Sequence, residues 1–330
     1  MKVLITGGAG FIGSWFVRDI LAGRASGYEH AHVTVLDKFT YAGERRNLPR
    51  EDDRLTVIAG DLADAHLTAE LVPGHDLVVN FAAETHVDRS IVAPRDFMRT
   101  NALGVETLMH ACVQGGIPRV LHVSTDEVYG SIERGRWDER APVDPSSPYS
   151  AAKAAGDMIA LAYARTYGLP VSVTRCGNNY GPRQFPEKLV PLFVTNLLEG
   201  RPVPLYGDGL NVRDWIHVSD HCAAIRLVAE KGVPGAVYHV AGTAELTNRE
   251  MVDLILRTCG ESWDRVETVP DRPGHDYRYS LDDSRLRALG YSPQVGVEEG
   301  MADTVHWYET HHRWWRPKKR ESGLPRTRGV

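Results

Sequence analysis

Lys2-Val3-Leu4-Ile5-Thr6-Gly7-Gly8-Ala9-Gly10-Phe11-Ile12-Gly13 is an apolar, β-branched run that breaks into a cluster of glycines. Trp15, Phe16, Ile20 and Leu21 then recur at helical spacing. Strand, glycine turn and helix, in that order, form the setting in which a Gly-rich loop binds a dinucleotide. The glycines let the backbone approach a pyrophosphate, and the free N–H groups at the helix amino terminus meet its charge. A second strand, His32 to Leu36, ends in Asp37, 24 positions beyond Gly13. An acid at about that distance takes the adenine ribose hydroxyls and favours NAD over NADP. Lys38, its neighbour, is a cation of the kind that tolerates a 2′-phosphate.

Two further apolar strands point the same way. Leu55 to Ala59 runs into Gly60-Asp61-Leu62, and Asp76 to Phe81 runs into Ala82-Ala83-Glu84-Thr85-His86. Both put small or polar residues at carboxyl strand ends, where an open parallel sheet binds its ligands. Asp61 also reads as a cap for a helix beginning near Asp64, and His86 reads equally well as a structural histidine. A helix is expected from Pro94 to Gly115, with Phe97, Leu103, Leu108 and Cys112 on overlapping faces and Asn101 as polar packing.

The strand Leu121-His122-Val123 leads into Ser124-Thr125-Asp126-Glu127-Val128-Tyr129-Gly130, and an acid pair there is not explained by core packing. Pro148 then opens a long helix containing Tyr149-Ser150-Ala151-Ala152-Lys153. The i, i+4 spacing puts the phenol and the ammonium on one face. A nearby cation favours the phenolate, so Tyr149 is a candidate base near neutral pH.

The chain has 330 residues, 42% hydrophobic and 25% charged, with a formal charge of -5. That suits one large domain or two intimately packed ones, and gives no field for a polyanionic or membrane partner. Cys112, Cys176, Cys222 and Cys259 are scattered without metal spacing, so four reduced thiols and no metal site are expected. MKVLITGG enters a strand at once and no apolar run is long enough to span a bilayer, so the expected location is cytoplasmic. Arg316 to Val330 is basic and poor in apolar residues, which predicts a disordered tail and, without aromatic interleaving, no nucleic-acid role.

TGGAGFIG and YSAAK, with the strands between them, resemble the extended short-chain dehydrogenase/reductase superfamily over nearly the whole chain to about Trp315. STDEVYG, NNYGPRQFPEKLVP, LYGDGLNVRDWIHVSDH and DRPGHDYRY together are similar to dTDP-glucose 4,6-dehydratases. Thr-Asp-Glu at the strand end discriminates: related epimerases usually have small residues there, and related decarboxylases and GDP-mannose dehydratases usually have Thr-Ser-Glu. Arg183-Gln184 departs from the aromatic residue followed by His or Gln usual in the family.

The resemblance implies an α/β fold, a Rossmann-type doubly wound parallel sheet with a smaller discontinuous α/β substrate domain. The NAD-binding part would take residues 1–176 and 212–241, and the substrate part 177–211 and 242–315. It implies catalysis by Thr125, Asp126, Glu127, Tyr149 and Lys153. NAD would lie against Gly7, Gly10, Phe11, Ile12, Gly13, Asp37, Lys38, Thr40, Asp61, Leu62, Ala82, Ala83, Thr100, Ser124 and Asn179, besides Tyr149 and Lys153. The nucleotide sugar would meet Thr85, Thr125, Asn178, Lys188, Leu189, Pro204, Tyr206, Arg213, Asn248, Arg272, His275 and Tyr279, with Arg213, Arg272 and His275 aimed at its diphosphate. The implied enzyme is a lyase that oxidises C4, removes water across C5 and C6, and reduces C6. A homodimer through the helices near 94–115 and 148–168 is implied as well. The alternatives are another NAD-dependent nucleotide-sugar enzyme, a decarboxylase or 4-epimerase, or a non-catalytic NAD-binding regulator.

Overall fold

In the computed structural model, which describes residues 1–321, the apolar run after Met1 becomes the strand β1 (Lys2–Thr6). The other strands, in chain order, are β2 (His32–Asp37), β3 (Leu55–Ala59), β4 (Leu77–Asn80), β5 (Val120–Thr125) and β6 (Val171–Cys176). Then come β7 (Asn178–Tyr180), β8 (Val203–Tyr206), β9 (Val212–His217), β10 (Val237–Val240), β11 (Ala244–Thr247) and β12 (Val266–Val269). The helices are α1 (Phe11–Leu21), α2 (Ala65–Leu71), α3 (Val87–Val92), α4 (Pro94–Met98), α5 (Gly104–Gln114) and α6 (Pro148–Tyr167). They continue with α7 (Leu189–Leu197), α8 (Val218–Lys231), α9 (Asn248–Cys259), α10 (Ser284–Arg287), α11 (Val297–Thr310) and α12 (His312–Glu321).

Seven strands form one parallel sheet in the order β10-β6-β5-β4-β1-β2-β3. The order reverses between β1 and β4, so a crevice opens there at the carboxyl ends of the strands. Helices cover both faces, and β4, β5, β6 and β10 are buried throughout, as all-parallel strands must be. Phe16, Val17 and Ile20 of α1 and Ile225 of α8 pack on Val3, Ile5 and Val33 on one face. On the other, Val105, Leu108 and Cys112 of α5 and Ala160 of α6 pack on Leu4 and Val78. This is a Rossmann-type α/β fold.

The smaller lobe contains a three-stranded sheet, β11-β9-β7, and the parallel pair β12-β8. Phe193, Met251, Ile255, Met301 and Trp315 fill its core between α7, α9, α11 and α12. One expected boundary moves. Residues 212–217, placed with the dinucleotide sheet by the sequence, pair with β7 and β11 instead, and only α8 and β10 return to the large sheet. An apolar strand carries no local mark of which sheet edge it will join.

The expected disorder from residue 316 also fails in its first part, because α12 continues to Glu321. Trp314 and Trp315 are buried and anchor the helix, and both precede the stretch whose composition suggested disorder. The remainder of that stretch lies outside the described residues. Among the described residues no helix is long and apolar enough to cross a membrane, and no cluster of His, Cys, Asp or Glu is arranged to hold a metal. All four cysteines are free.

Candidate active site

β5 ends at Thr125, whose hydroxyl oxygen accepts from the Glu127 N–H at 3.3 Å and so caps a short 3₁₀ turn, Asp126–Tyr129. Val128 and Tyr129 are buried, and the Tyr129 hydroxyl, bonded to His239 of β10 and Arg175 of β6, fastens the turn to the large sheet. Gly130, at φ 70, ends it, and a Cβ there would stand 2.4 Å from the Asp144 carbonyl oxygen. The turn leaves Asp126 buried and Glu127 half-buried at the mouth of the crevice. Burial first, then the charges of Glu127 and Asp214, push the Asp126 carboxyl well above its ordinary range, and Arg213 and Thr125 offset only part of this. Burial raises Glu127 as well, but Arg272, Lys188 and Arg213 all pull it back.

α6 delivers the phenol and the ammonium. Ser147 caps it by accepting from the Ser150 N–H at 3.1 Å, and Pro148 occupies the first helical position. Tyr149 reaches the crevice, while Lys153 donates to the Val123 carbonyl oxygen at 2.7 Å. Burial and the Glu127 charge raise the Tyr149 phenol well above its ordinary value, with a hydrogen bond from Thr125 opposing. That is the reverse of the lowering expected from spacing alone, because Lys153 turns to a main-chain carbonyl. One turn further on, Asp157 is buried against Arg175 at 2.8 Å and His122 at 3.4 Å. Asp157 and Cys176 partly offset the burial that lowers Lys153.

The glycine turn shows why it needs glycine. A Cβ on Gly7 would stand 2.5 Å from the Ala82 nitrogen, and one on Gly13 2.4 Å from the Gly7 carbonyl oxygen. α1 begins after Gly10 with no side-chain cap and no acid in its first turn, so its free N–H groups face the crevice. The Asp37 carboxylate accepts from the N–H groups of Ala9 at 2.9 Å and Phe39 at 2.8 Å. Lys38 pairs with Asp61 at 3.0 Å, and Arg99 joins the same carboxylate at 3.2 Å. Asp61 is therefore an ion-pair acceptor, and the cap of α2 is Asp64. These are the features that a dinucleotide with a free adenine ribose requires.

Every residue expected to hold the cofactor lines one cavity of about 310 Å³, together with Thr125, Asp126 and Glu127. The family model for GDP-mannose 4,6 dehydratase matches residues 4–304. A dTDP-glucose 4,6-dehydratase of Streptomyces antibioticus is 56% identical over 98% of this chain and 97% of its own. One from Streptomyces niveus is 55% identical over 97% and 96%. DesIV, a dTDP-glucose 4,6-dehydratase from Streptomyces venezuelae solved with NAD and TYD bound, superposes with a TM-score of 0.95 at 54% identity, covering 96% of this chain and 100% of that one. This chain belongs to the dTDP-glucose 4,6-dehydratase family.

Of the residues expected on the substrate side, Thr85, Asn178, Lys188 and Leu189 line the same cavity. Lys188 stands at the start of α7 and donates to the Thr85 carbonyl oxygen at 2.5 Å. Pro204, Tyr206, Arg213, Asn248, Arg272, His275 and Tyr279 do not line it and gather around the 271–279 segment, β8 and β9. The three expected diphosphate ligands are engaged with the protein. Arg213 donates to the carbonyl oxygens of Val212 at 2.7 Å and Asp276 at 2.8 Å, and stacks over Tyr279 at 4.4 Å. His275 holds Asp271 at 2.6 Å. Arg272 approaches Asp88 at 3.5 Å and keeps a buried Nε–H without a hydrogen-bond partner among the described residues. Arg183 turns away from the cavity and covers Trp307 at 5.4 Å, so the family departure at this position faces α11.

Sequence reasoning missed Glu187. It lines the cavity, is buried, and pairs with Arg89 at 3.1 Å, while Arg89 lies 4.0 Å over the Tyr41 ring. Its only local signal is its place beside Lys188, since Arg89 is remote in the chain. Burial, and then the charges of Lys188, Arg89 and Arg272, bring the pKa of His86 down to about 3. It is neutral at physiological pH. Asn101 is the polar packing expected: its amide exchanges two 2.9 Å hydrogen bonds with the Glu84 backbone and braces the strand-end loop. It does so from a π-helical turn, Arg99–Leu103, inserted between α4 and α5.

Proposed function

We propose that this chain is a hydro-lyase that converts dTDP-glucose to dTDP-4-keto-6-deoxyglucose with NAD recycled inside each turnover. The observation that carries the reading is the Asp126–Glu127 pair, set at the end of β5 in the same cavity as Tyr149 and the glycine turn. When bound, NAD supplies a hydride acceptor for C4 and a donor for C6. Asp37, with Lys38 drawn onto Asp61, supports NAD over NADP.

The residues divide the proton work. Tyr149, with Lys153 beneath it, takes the proton of the sugar 4-hydroxyl, and Thr125 hydrogen-bonds the same oxygen. The resulting C4 ketone acidifies the C5 proton, which Glu127 removes. Asp126 protonates the departing C6 hydroxyl, which leaves as water. The acid must be neutral while the base is charged, and the cations around Glu127 together with the burial of Asp126 favour that division. Lys188, Asn178 and the unpartnered Arg272 Nε–H are the groups we assign to the nucleotide sugar.

The protein acts in the cytoplasm as a homodimer in this reading. Ile91, Val92, Met98, Leu103 and Met158 leave exposed apolar side chains on the segment from α3 to α6, which supports pairing there. The free cysteines suit a reducing compartment.

The test is to incubate the purified protein with dTDP-glucose, without added reductant, and read the alkali-induced near-ultraviolet absorbance of a 4-keto-6-deoxy sugar. Mass spectrometry should show loss of one water, and UDP-glucose run alongside reports the base preference. Absence of product from protein carrying NAD would sink the proposal.

A further inference from the structure

The C-terminal helix is wired into the back of the glycine turn. Ala9, in the middle of that turn, donates its N–H to Asp37 at 2.9 Å, and its carbonyl oxygen accepts twice, from the Glu44 N–H at 3.0 Å and from Asn47 Nδ2 at 2.9 Å. Asn47 is 1% exposed, and its remaining side-chain atom, Oδ1, accepts from the Trp314 indole Nε1–H at 2.9 Å. Glu44 also holds Lys318, and Arg46 donates to the Arg313 carbonyl oxygen at 3.4 Å. On its other side α12 belongs to the smaller lobe. Lys319 pairs with Glu199 at 3.1 Å, the Trp314 ring meets Trp307 edge-on at 5.0 Å, and Trp315 donates to the Tyr308 carbonyl oxygen at 2.8 Å.

The segment between Asp37 and Asn47 needs such an anchor. Phe39 has φ 52, a left-handed conformation that is costly for an aromatic residue and persists only where the surroundings impose it. The same segment contributes Thr40, Ala42 and Gly43 to the cavity wall.

We propose that α12 is a positioning element for the dinucleotide. Trp314, acting through Asn47 on the Ala9 peptide, holds the glycine turn in its binding shape, and no residue of α12 lines the cavity itself. This rests on the NAD reading above. Coupling is reciprocal: if docked α12 raises NAD affinity, bound NAD must stabilise docked α12 by the same factor.

Two measurements test it. Protein stripped of NAD is titrated with NAD by calorimetry, for the wild type and for Trp314→Phe, which keeps an aromatic ring but removes the indole donor. Trp314→Phe removes a buried hydrogen bond and part of a buried ring, so the melting midpoint of the stripped protein should fall by a few degrees. At a temperature well below both midpoints, where both stripped proteins are folded, NAD should still bind about tenfold more weakly to the variant. Equal affinities at that temperature overturn the inference. Amide hydrogen exchange of the wild type needs no variant and covers the case in which Trp314→Phe fails to fold. Adding NAD should slow exchange across residues 312–321 as well as 7–13, and protection confined to 7–13 overturns the inference. A wild type that binds no NAD defeats the functional reading instead, so the two failures are distinguishable.

Discussion

Asp126 and Glu127 are neighbours in the chain with unequal electrostatic company. Arg272, Lys188 and Arg213 bear on Glu127, whereas Asp126 faces Glu127 and Asp214 and is relieved only by Arg213 and its Thr125 hydrogen bond. Two like charges that close in a dry crevice do not both ionise readily, and the cations decide which keeps its proton. In the proposed reaction, one peptide unit would thus present an acid and a base to adjacent carbons of one sugar.

Asp126→Asn keeps the shape and the hydrogen bond from Thr125 but has no proton to give the C6 oxygen. Elimination should slow by about 10²- to 10⁴-fold, the usual value of one general acid, with C4 oxidation nearly unchanged. Rapid mixing with dTDP-glucose should then show the near-ultraviolet absorbance of reduced nicotinamide building up in a single turnover. Equal loss of both steps would remove Asp126 from the acid role.

Lys153→Met tests the phenol. Burial and the Glu127 charge raise Tyr149 while Lys153 is held on the Val123 carbonyl oxygen. In the proposed reaction Lys153 supports the phenolate as the 4-hydroxyl proton is taken, so its loss should leave less phenolate at a given pH. C4 oxidation measured in single turnovers should fall about 10²- to 10⁴-fold near neutrality. Its rate should also keep climbing with pH where the wild type has levelled. A uniform loss across the pH range would indicate that Lys153 only positions the helix.

Much of the cavity was legible because a parallel α/β sheet puts its ligands at strand ends, and strand ends are marked locally. Asp37, Asp61, Ala82 and Thr125 each follow an apolar run, and all of them meet in one cavity. What was not legible is what chain direction and side-chain direction decide over distance. Arg213 is expected at the diphosphate, but that its guanidinium is also held by carbonyl oxygens 63 and 1 residues away is decided by the fold and not by its local sequence. Glu187 and Arg89 are separated by 98 residues, so nothing local pairs them. The helix after Trp315 depends on partners near residue 45, and composition over a short window cannot register them.

Gly156 sits inside α6, where alanine normally gains up to about 1 kcal/mol of helix propensity. Here a Cβ would stand 2.5 Å from the Asn101 carbonyl oxygen in the π-helical turn. The overlap is with backbone, so the sign should reverse, and Gly156→Ala should cost about 1–3 kcal/mol in denaturant unfolding. A stabilised Gly156→Ala would mean that α6 and the turn separate freely.

Asp214 gives the fold a pH dependence of definite sign. Burial raises its carboxyl from 3.8 to about 7, with Glu245 and Asp283 adding to the shift and the Gly242 N–H and Arg136 opposing it. A raised folded value means that the folded state holds the proton more tightly than the unfolded chain. The contribution to stability is therefore complete below about pH 4 and is lost as pH rises to about 7. The gap corresponds to roughly 4 kcal/mol at most. Asp214→Asn keeps an oxygen to accept from Gly242, which now donates at 2.9 Å, but cannot ionise. Its stability relative to the wild type should improve from about pH 5 to about pH 7 and then level off towards about pH 8 in urea unfolding. A difference between the two proteins that stays constant over that range would show that Asp214 is charged in the folded state throughout.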